Sequence, residues 1–207
     1  AEAHAFIQQQ LTHWVREGWW PLSIGGDHSL TYPLCAGVSR AQTEPLGLVY
    51  MDAHLDMRPF ESMLGVDGII SSGNSFRRLI EDGIIAGSRM IVIGIKQSSS
   101  AVFQEMLAFA QEAGVTVVWQ EDCTDALTLA KLVKNVVGSH FYLSVDMDVV
   151  AGVQGVSAPA VEGLPFSLVN DLAVALAHEP GCVGMDVVEV SGRELGWWQV
   201  WGEANPS

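Results

Sequence analysis

Three short clusters of polar side chains interrupt this sequence, and each of them directly follows an apolar run. The first cluster contains Asp27 and His28, the second is Met51-Asp-Ala-His-Leu-Asp56, and the third contains Asp146 and Asp148. The apolar runs predict buried parallel strands, and open α/β sheets keep their active sites at the carboxyl ends of such strands. The clusters therefore predict an active site assembled from several strand ends.

Apolar runs and helical patterns alternate along the whole chain. The runs predict strands at 20–24, 46–50, 90–95, 115–119, 141–145 and 182–190. The helical patterns lie at 3–17, 76–82, 98–113 and 166–177, with a helix of about two turns capped by Ser29 and another, capped by Asp122 or Thr124, that ends at Gly138. This alternation predicts a three-layer α/β/α fold around a mainly parallel, doubly wound sheet.

The length and composition of the chain fit a single buried domain. Its 207 residues are 49% hydrophobic, which suits a sheet that is covered on both faces. No apolar run reaches the roughly 18 residues of a membrane-spanning helix, and the N-terminal residues do not have the pattern of a signal peptide. We therefore expect a soluble, cytoplasmic protein without a membrane partner, in which Cys35, Cys123 and Cys182 are reduced thiols.

The charge of the chain argues against nucleic acid as a partner. The formal net charge is −14, and the ten basic residues are spread along the sequence. They form no patch that could follow a phosphate backbone. Bound cations would offset the part of the acidic excess that lies in the three clusters.

The clusters supply a set of hard or borderline metal ligands without a thiolate. The six candidate ligands are His28, Asp52, His54, Asp56, Asp146 and Asp148. Carboxylates and imidazoles suit manganese best, with zinc, cobalt and iron as weaker options. Four carboxylates around one ion would repel each other or take up protons, whereas two ions that share carboxylates would relieve the repulsion. Because a metal pair lowers the pKa of a bound water, the predicted reaction is hydrolysis.

The motifs that carry these ligands resemble those of the ureohydrolase family, which includes arginase, agmatinase and formimidoylglutamase. The matching segments are Gly25-Gly-Asp-His-Ser29, Met51-Asp-Ala-His-Leu-Asp56, Ser144-Val-Asp-Met-Asp148 and Asp186-Val-Val-Glu-Val190. They occur in the order found in the family and span most of the chain. The resemblance implies an arginase-like fold, two Mn²⁺ ions per chain and a small amidine or guanidine substrate.

The resemblance also implies a role for each residue of the site. One ion would be held by His28, Asp52, Asp56 and Asp146, and the other by His54, Asp148 and the shared Asp52 and Asp146. Asp56 would take up a proton and return it to the leaving amine. Glu189 would bind the planar cation of the substrate, a role that suits a carboxylate.

Three further segments are most similar to formimidoylglutamase. They are Arg58-Pro59, residues 71–76 and residues 148–159. The resemblance implies cleavage of N-formimidoyl-L-glutamate to L-glutamate and formamide in histidine degradation. The anionic tail of that substrate would need cationic or amide partners, and the candidates are Arg58, Asn74, Arg77 and Arg78.

Two other functions stay open at this point. An agmatinase- or arginase-type enzyme would release urea from a guanidine, although such enzymes usually have Asp-Pro where this chain has Ala151-Gly152. The chain could also be an inactive metal-binding relative or a fragment, because the family chain is longer. We therefore expect residues 1–207 to form a single ureohydrolase-like domain that lacks N- and C-terminal parts of the family fold. A homo-oligomer is a further expectation from the family.

Overall fold

The computed structural model describes residues 2–59, 69–153, 156 and 162–190. Its strands are β1 (Leu22–Ile24), β2 (Gly47–Met51), β3 (Met90–Ile95), β4 (Thr116–Trp119), β5 (Phe141–Asp146) and β6 (Cys182–Val188). They form one sheet in the order β1-β6-β5-β2-β3-β4, in which all neighbouring strands are parallel. The predicted parallel sheet is therefore confirmed.

Within the described ranges, six α-helices cover the two faces of this sheet. They are α1 (Glu2–Arg16), α2 (Thr31–Ala41), α3 (Ser75–Glu81), α4 (Ala101–Glu112), α5 (Ala126–Val137) and α6 (Phe166–Ala177). Helices α1 to α4 supply apolar side chains to the core on one face, and α5 and α6 supply them to the core on the other. All residues of β2, β3 and β5 are buried between the helix layers. The predicted three-layer α/β/α architecture is confirmed.

The sheet extends from β2 in both directions. Strands β3 and β4 follow on one side, and β5 and β6 follow on the other, so the order changes direction between β2 and β5. From β2 the chain passes through α3 and α4 to β3 and β4 on one side. It then returns through α5 on the opposite face to β5, which lies on the other side of β2, and continues through α6 to β6. A sheet of this kind opens a crevice at the carboxyl ends of the two strands where the direction changes. Asp52 and Asp146 lie there.

Two predicted helix caps were wrong. Asp27, not Ser29, caps the first turn after β1, because the Asp27 carboxylate accepts hydrogen bonds from both the amide and the hydroxyl of Ser29. That turn is a 3₁₀ helix, and it leads directly into α2, which is longer than the two turns predicted. Asp125, rather than Asp122 or Thr124, caps α5 by accepting a bond from the Thr128 amide at 2.9 Å.

Several other predictions fall on residues outside the described ranges. These include part of the segment 148–159 that is similar to formimidoylglutamase. The prediction that residues 1–207 form a single domain therefore stays a prediction. Among the described helices, none combines the length and the apolar character needed to cross a membrane.

A glycine in β3 makes close packing possible at the carboxyl edge of the sheet. Gly94 lies where the register between β3 and β4 shifts, and its φ is +105°. A Cβ atom at this position would lie 2.5 Å from Cγ2 of Val149 and 3.3 Å from the carbonyl oxygen of Asp52. The loops that follow β2 and β5 therefore pack against a position that only glycine can occupy without strain.

We expect Gly94→Ala to destabilise the fold. An L-residue with this backbone conformation costs about 1–2 kcal/mol, and the clash with Val149 adds about 1–3 kcal/mol of overpacking. Urea unfolding of the full chain measures the loss. Gly83→Ala is the matched control, since Gly83 also has a positive φ of +67° but an added Cβ would have no neighbour within 4 Å. Equal losses for the two variants would contradict the packing argument.

Candidate metal centre

Four predicted ligands from three strand ends surround a single point. Nδ1 of His28 lies 3.1 Å from Oδ2 of Asp52, 3.2 Å from Oδ2 of Asp56 and 3.0 Å from Oδ2 of Asp146. His28 follows β1, the first two carboxylates follow β2 and the third ends β5. One donor atom from each of the four residues lies within 4.8 Å of the others. This group is able to hold a metal ion.

A second group shares one residue with the first. Nδ1 of His54 lies 2.9 Å from Oδ2 of Asp148 and 3.5 Å from Oδ1 of Asp52. Asp52 therefore presents its Oδ1 to His54 and its Oδ2 to His28. Asp52 is fully buried, whereas the His54 side chain is 49% exposed. The second group therefore faces the solvent side of the site.

Asp146 and Asp148 are two residues apart but do not lie on one extended strand. An i, i+2 pair on a strand would point to the same side of the sheet. β5 ends at Asp146, however, and residues Met147–Val149 form a 3₁₀ turn in which Asp146 accepts a hydrogen bond from the Asp148 amide at 2.8 Å. The turn directs Asp146 towards His28 and Asp148 towards His54.

Two donor atoms at the centre of the first group lack hydrogen-bond partners, as expected of atoms that bind a cation. Nδ1 of His28 and Oδ2 of Asp52 are both buried, and neither makes a hydrogen bond of acceptable geometry. Buried polar atoms are nearly always paired, so two such atoms facing the same point indicate a missing partner. A divalent cation would satisfy both of them, and oxygen and imidazole donors match its chemistry.

In the metal-free protein, burial and mutual repulsion shift the pKa values of these carboxyl groups. Burial, and then the charge of Asp52, raise the pKa of Asp146 to about 8 and that of Asp56 to about 6. Hydrogen bonds to Asp148 and Asp52 raise the pKa of His54 to about 11. Although burial opposes it, the surrounding carboxylates hold the pKa of His28 well above its usual value. Protons therefore compensate the charge of the ligands when no metal is bound.

Aromatic rings fix the imidazole of His28 from behind. The Phe76 ring meets it edge to face with centroids 4.7 Å apart, and the Tyr50 ring stacks on Phe76 at 3.8 Å. All three side chains are buried. The ring of His28 therefore has little freedom to turn away from the carboxylates.

The two predicted catalytic residues share an unusual backbone conformation. Among the described residues other than glycine, only Asp56 and Glu189 have a positive φ, at 48° and 57°. Such conformations cost free energy and are concentrated at functional sites. Oε1 of Glu189 accepts a hydrogen bond from the amide of His28 at 3.0 Å, and the Glu189 amide donates to the carbonyl of Gly26 at 2.9 Å. Glu189 is thus held next to the first group of ligands.

The predicted substrate residues Arg58 and Asn74 lie on neighbouring backbone segments but differ in burial. Arg58 is exposed, and its amide donates to the Gly73 carbonyl at 2.8 Å. Asn74 is buried. Its Oδ1 accepts a hydrogen bond from the amide of Ser71 at 2.8 Å, and its Nδ2 donates to the carbonyl of Ile69 at 3.0 Å. The Asn74 side chain thus stabilises its own loop, and the substrate role of both residues stays a prediction.

Arg77 and Arg78 lie on α3 and make ion pairs along the same helix. Nε of Arg77 is 2.8 Å from Oε1 of Glu81, and Nη2 of Arg78 is 2.8 Å from Oδ1 of Asp82. These i, i+4 pairs are typical of a helix surface. They favour the structural interpretation of the two arginines over a role in substrate binding.

A buried polar network lies behind His28, and the sequence patterns did not predict it. Nε2 of His28 lies 3.0 Å from Oγ of Ser144, which donates to Oδ1 of Asp186 at 2.5 Å. Oγ1 of Thr31 donates to Oδ2 of the same carboxylate at 2.9 Å. Burial raises the pKa of Asp186, and these donors oppose the shift. The signal in the sequence was Asp186 itself, a charged residue within an otherwise apolar strand.

The fold and the His/Asp cluster together define the class of this protein. A sequence model of the arginase family matches residues 1–193. The chain therefore belongs to the arginase family, and the predicted family membership is confirmed.

Individual relatives within this family differ in the substrates that their names indicate. The chain is 35% identical over 176 residues to a guanidinopropionase of Pseudomonas aeruginosa, with 83% of this chain and 53% of the relative covered. It is 30% identical over 199 residues to a formimidoylglutamase of Halalkalibacterium halodurans, with 91% and 59% covered. The chain thus spans between half and three fifths of the length of these curated relatives.

A solved structure with bound metal has the same fold. It is a formiminoglutamase variant from Trypanosoma cruzi with Mn²⁺. The two structures superimpose with a TM-score of 0.83 at 26% sequence identity, over 92% of this chain and 63% of the other.

We expect loss of bound metal when Asp52 is changed to Ala, because Asp52 contacts both histidines of the site. Asp146→Ala should also reduce the metal content, since it removes a carboxylate next to His28. Metal content after dialysis, measured by mass spectrometry, checks both variants. Asp27→Asn is the control: Asp27 is adjacent to His28 in sequence but acts as a helix cap, and asparagine preserves a cap. Unchanged metal content in both alanine variants would contradict the metal centre.

Metal affinity should increase with pH. The metal-free pKa values of about 6 for Asp56 and about 8 for Asp146 mean that protons compete with the cation. A ligand that is protonated in the free state must release its proton to bind the cation. The raised pKa values of His54 and His28 should therefore make the affinity fall with decreasing pH across the neutral range, and Asp146 and Asp56 should steepen the fall below about pH 8 and about pH 6. Titration calorimetry in buffers of different ionisation enthalpy should show net proton release. An affinity that stays constant over this range would contradict the prediction.

Proposed function

We propose that the protein is a manganese-dependent hydrolase that cleaves a C–N bond of a linear amidine. The observation that carries this proposal is the pair of overlapping ligand groups that share Asp52. The best candidate substrate is N-formimidoyl-L-glutamate, which would give L-glutamate and formamide. Three sequence segments that are similar to formimidoylglutamase, and the relative of that name, support this choice.

The proposal assigns two Mn²⁺ ions to the site. Asp52 supports it, because its two oxygens face different histidines, as expected of a carboxylate that bridges two ions. Asp146 is the second proposed bridge, although its Oδ1 already accepts a hydrogen bond from the Asp148 amide. Bound metal would polarise the substrate and lower the pKa of a water molecule towards neutrality.

Asp56 is the residue that we propose to move protons. Its side chain is 14% exposed, compared with 0% for Asp52 and 3% for Asp146, so it lies nearest to solvent among the carboxylates around His28. Burial and the charge of Asp52 raise its pKa to about 6 in the metal-free protein. A carboxylate at the edge of the site can accept a proton during attack and return it to the leaving amine.

Glu189 is the residue that we propose to hold the substrate cation. It is mostly buried, and its position is fixed by bonds to the backbone of His28 and Gly26. A fixed carboxylate next to the metal ligands would orient a planar amidine or guanidinium group through charge-assisted hydrogen bonds. Orientation of this kind places the reacting carbon before the chemical step begins.

Other parts of the substrate would contact residues farther from the ligands. An anionic glutamate tail would require a cation at the rim of the site, and the exposed Arg58 is the candidate. A place in histidine degradation, a cytoplasmic location and a homo-oligomeric assembly belong to the same proposal.

A guanidine hydrolase that releases urea is the second candidate function. The 35% identity to a guanidinopropionase favours it. The same ligands and the same Glu189 would serve this reaction, because guanidinium and amidine groups share a planar cationic carbon centre. The two candidates therefore differ in the groups that contact the tail of the substrate.

Product analysis tests the two candidates. The full chain loaded with Mn²⁺ is incubated with N-formimidoyl-L-glutamate, guanidinopropionate, agmatine and arginine, and formamide and urea are measured. Formamide from the first compound is the expected result, because the formimidoylglutamase-like segments flank the ligands. Urea from any of the guanidines would favour the second candidate.

Asp52→Ala is the control for contaminating activity, since it removes the shared ligand. A chain that is folded and binds metal but hydrolyses none of the four compounds would contradict both candidates and favour an inactive metal-binding relative.

A further inference from the structure

We infer that Asp186, acting through Ser144, is a positioning residue that fixes the tautomer of His28 so that its Nδ1 lone pair faces the metal. This inference rests on the metal centre of the proposed function but does not depend on the substrate. It concerns three side chains on β5, β6 and the turn after β1 that are all fully buried. None of them is open to solvent, so their hydrogen bonds must be made to other buried groups of the protein.

The direction of each hydrogen bond follows from the donors that are available. An ionised carboxylate can only accept, and both oxygens of Asp186 receive a hydroxyl: Ser144 donates to Oδ1 at 2.5 Å and Thr31 donates to Oδ2 at 2.9 Å. A serine hydroxyl has a single proton, and that of Ser144 is directed to Asp186. The oxygen of Ser144 can therefore only accept from Nε2 of His28, which lies 3.0 Å away.

The proton on Nε2 determines the state of the other nitrogen when a cation is bound. In a neutral imidazole one nitrogen carries the proton and the other carries a lone pair. If Nε2 donates to Ser144, then the lone pair lies on Nδ1. Nδ1 is the atom that faces three carboxylates without making a hydrogen bond of acceptable geometry. The network therefore places a metal-binding lone pair at the centre of the ligand group.

The network also determines where His28 sits. Asp186 lies beside Ser144 in the register of β5 and β6, so the sheet itself holds the two residues together. Thr31 lies in the first turn of α2 and donates a hydrogen bond to the second oxygen of the Asp186 carboxylate. Metal-bound histidines usually donate their second N–H to a carboxylate, a carbonyl or a water. Here a serine hydroxyl stands between the histidine and the carboxylate.

Metal affinity in the full chain tests this inference. Removal of such outer partners typically weakens metal binding about 10- to 100-fold, and we expect a loss in this range for Ser144→Ala. Asp186→Asn should also weaken binding, because it takes away the charge that orders the serine hydroxyl. The double variant should bind no more weakly than Ser144→Ala alone, since Asp186 acts through Ser144. Mn²⁺ affinity is measured by chelator competition.

Ser75→Ala is the matched control, because Ser75 is equally buried but its hydroxyl bonds the carbonyl of Ser72 within its own loop. Its affinity should equal that of the wild type. Losses that add in the double variant, or affinities within about twofold of wild type for both single variants, would overturn the inference.

A spectroscopic measurement on the unaltered protein does not depend on the folding of any variant. The diamagnetic Zn²⁺-loaded chain, labelled with ¹⁵N at histidine, should show a proton on Nε2 of His28 and none on Nδ1. A proton on Nδ1, or a ring without a proton on either nitrogen, would overturn the inference. If the wild type binds no metal, the proposed metal centre fails with it. Tight metal binding that the two substitutions leave unchanged would remove the positioning role alone.

Discussion

The repulsion between carboxylates at the carboxyl ends of β2 and β5 is the constraint on which the site depends. Asp52, Asp56 and Asp146 direct oxygens at one imidazole nitrogen from distances near 3 Å, in a region that water barely reaches. Such an arrangement is unfavourable unless positive charge enters it, either as protons or as a cation. The doubly wound topology creates this convergence, because the strand order changes direction between these two strands.

Several backbone positions around the candidate ligands have strained conformations. Asp56 and Glu189 have left-handed conformations, and Gly94 allows the loops after β2 and β5 to approach β3. These three positions lie on different elements but at the same edge of the sheet. The packing of the buried strands beneath them offsets this cost. Rigid ligands bind a metal or a substrate with less loss of conformational freedom.

The sequence predicted those features that depend on local patterns. Buried apolar runs identified the strands, and polar residues at their ends identified the candidate ligands that the structure brings together. The strand order could not be predicted, because it depends on long-range pairing. The 3₁₀ turn that follows β5 and directs Asp146 and Asp148 to different histidines could not be predicted either. The contacts of Asp186 with Ser144 and Thr31 join residues that are distant in sequence, and no local pattern reveals them.

The ligands of the first group come from positions far apart along the chain, from His28 to Asp146. A cation bound among them therefore acts as a cross-link that closes long loops, much as a disulfide does, and the stabilisation comes partly from restricting the unfolded chain. Folding and metal supply are then thermodynamically linked. A change in free metal concentration shifts the population of folded molecules as well as the number of loaded sites.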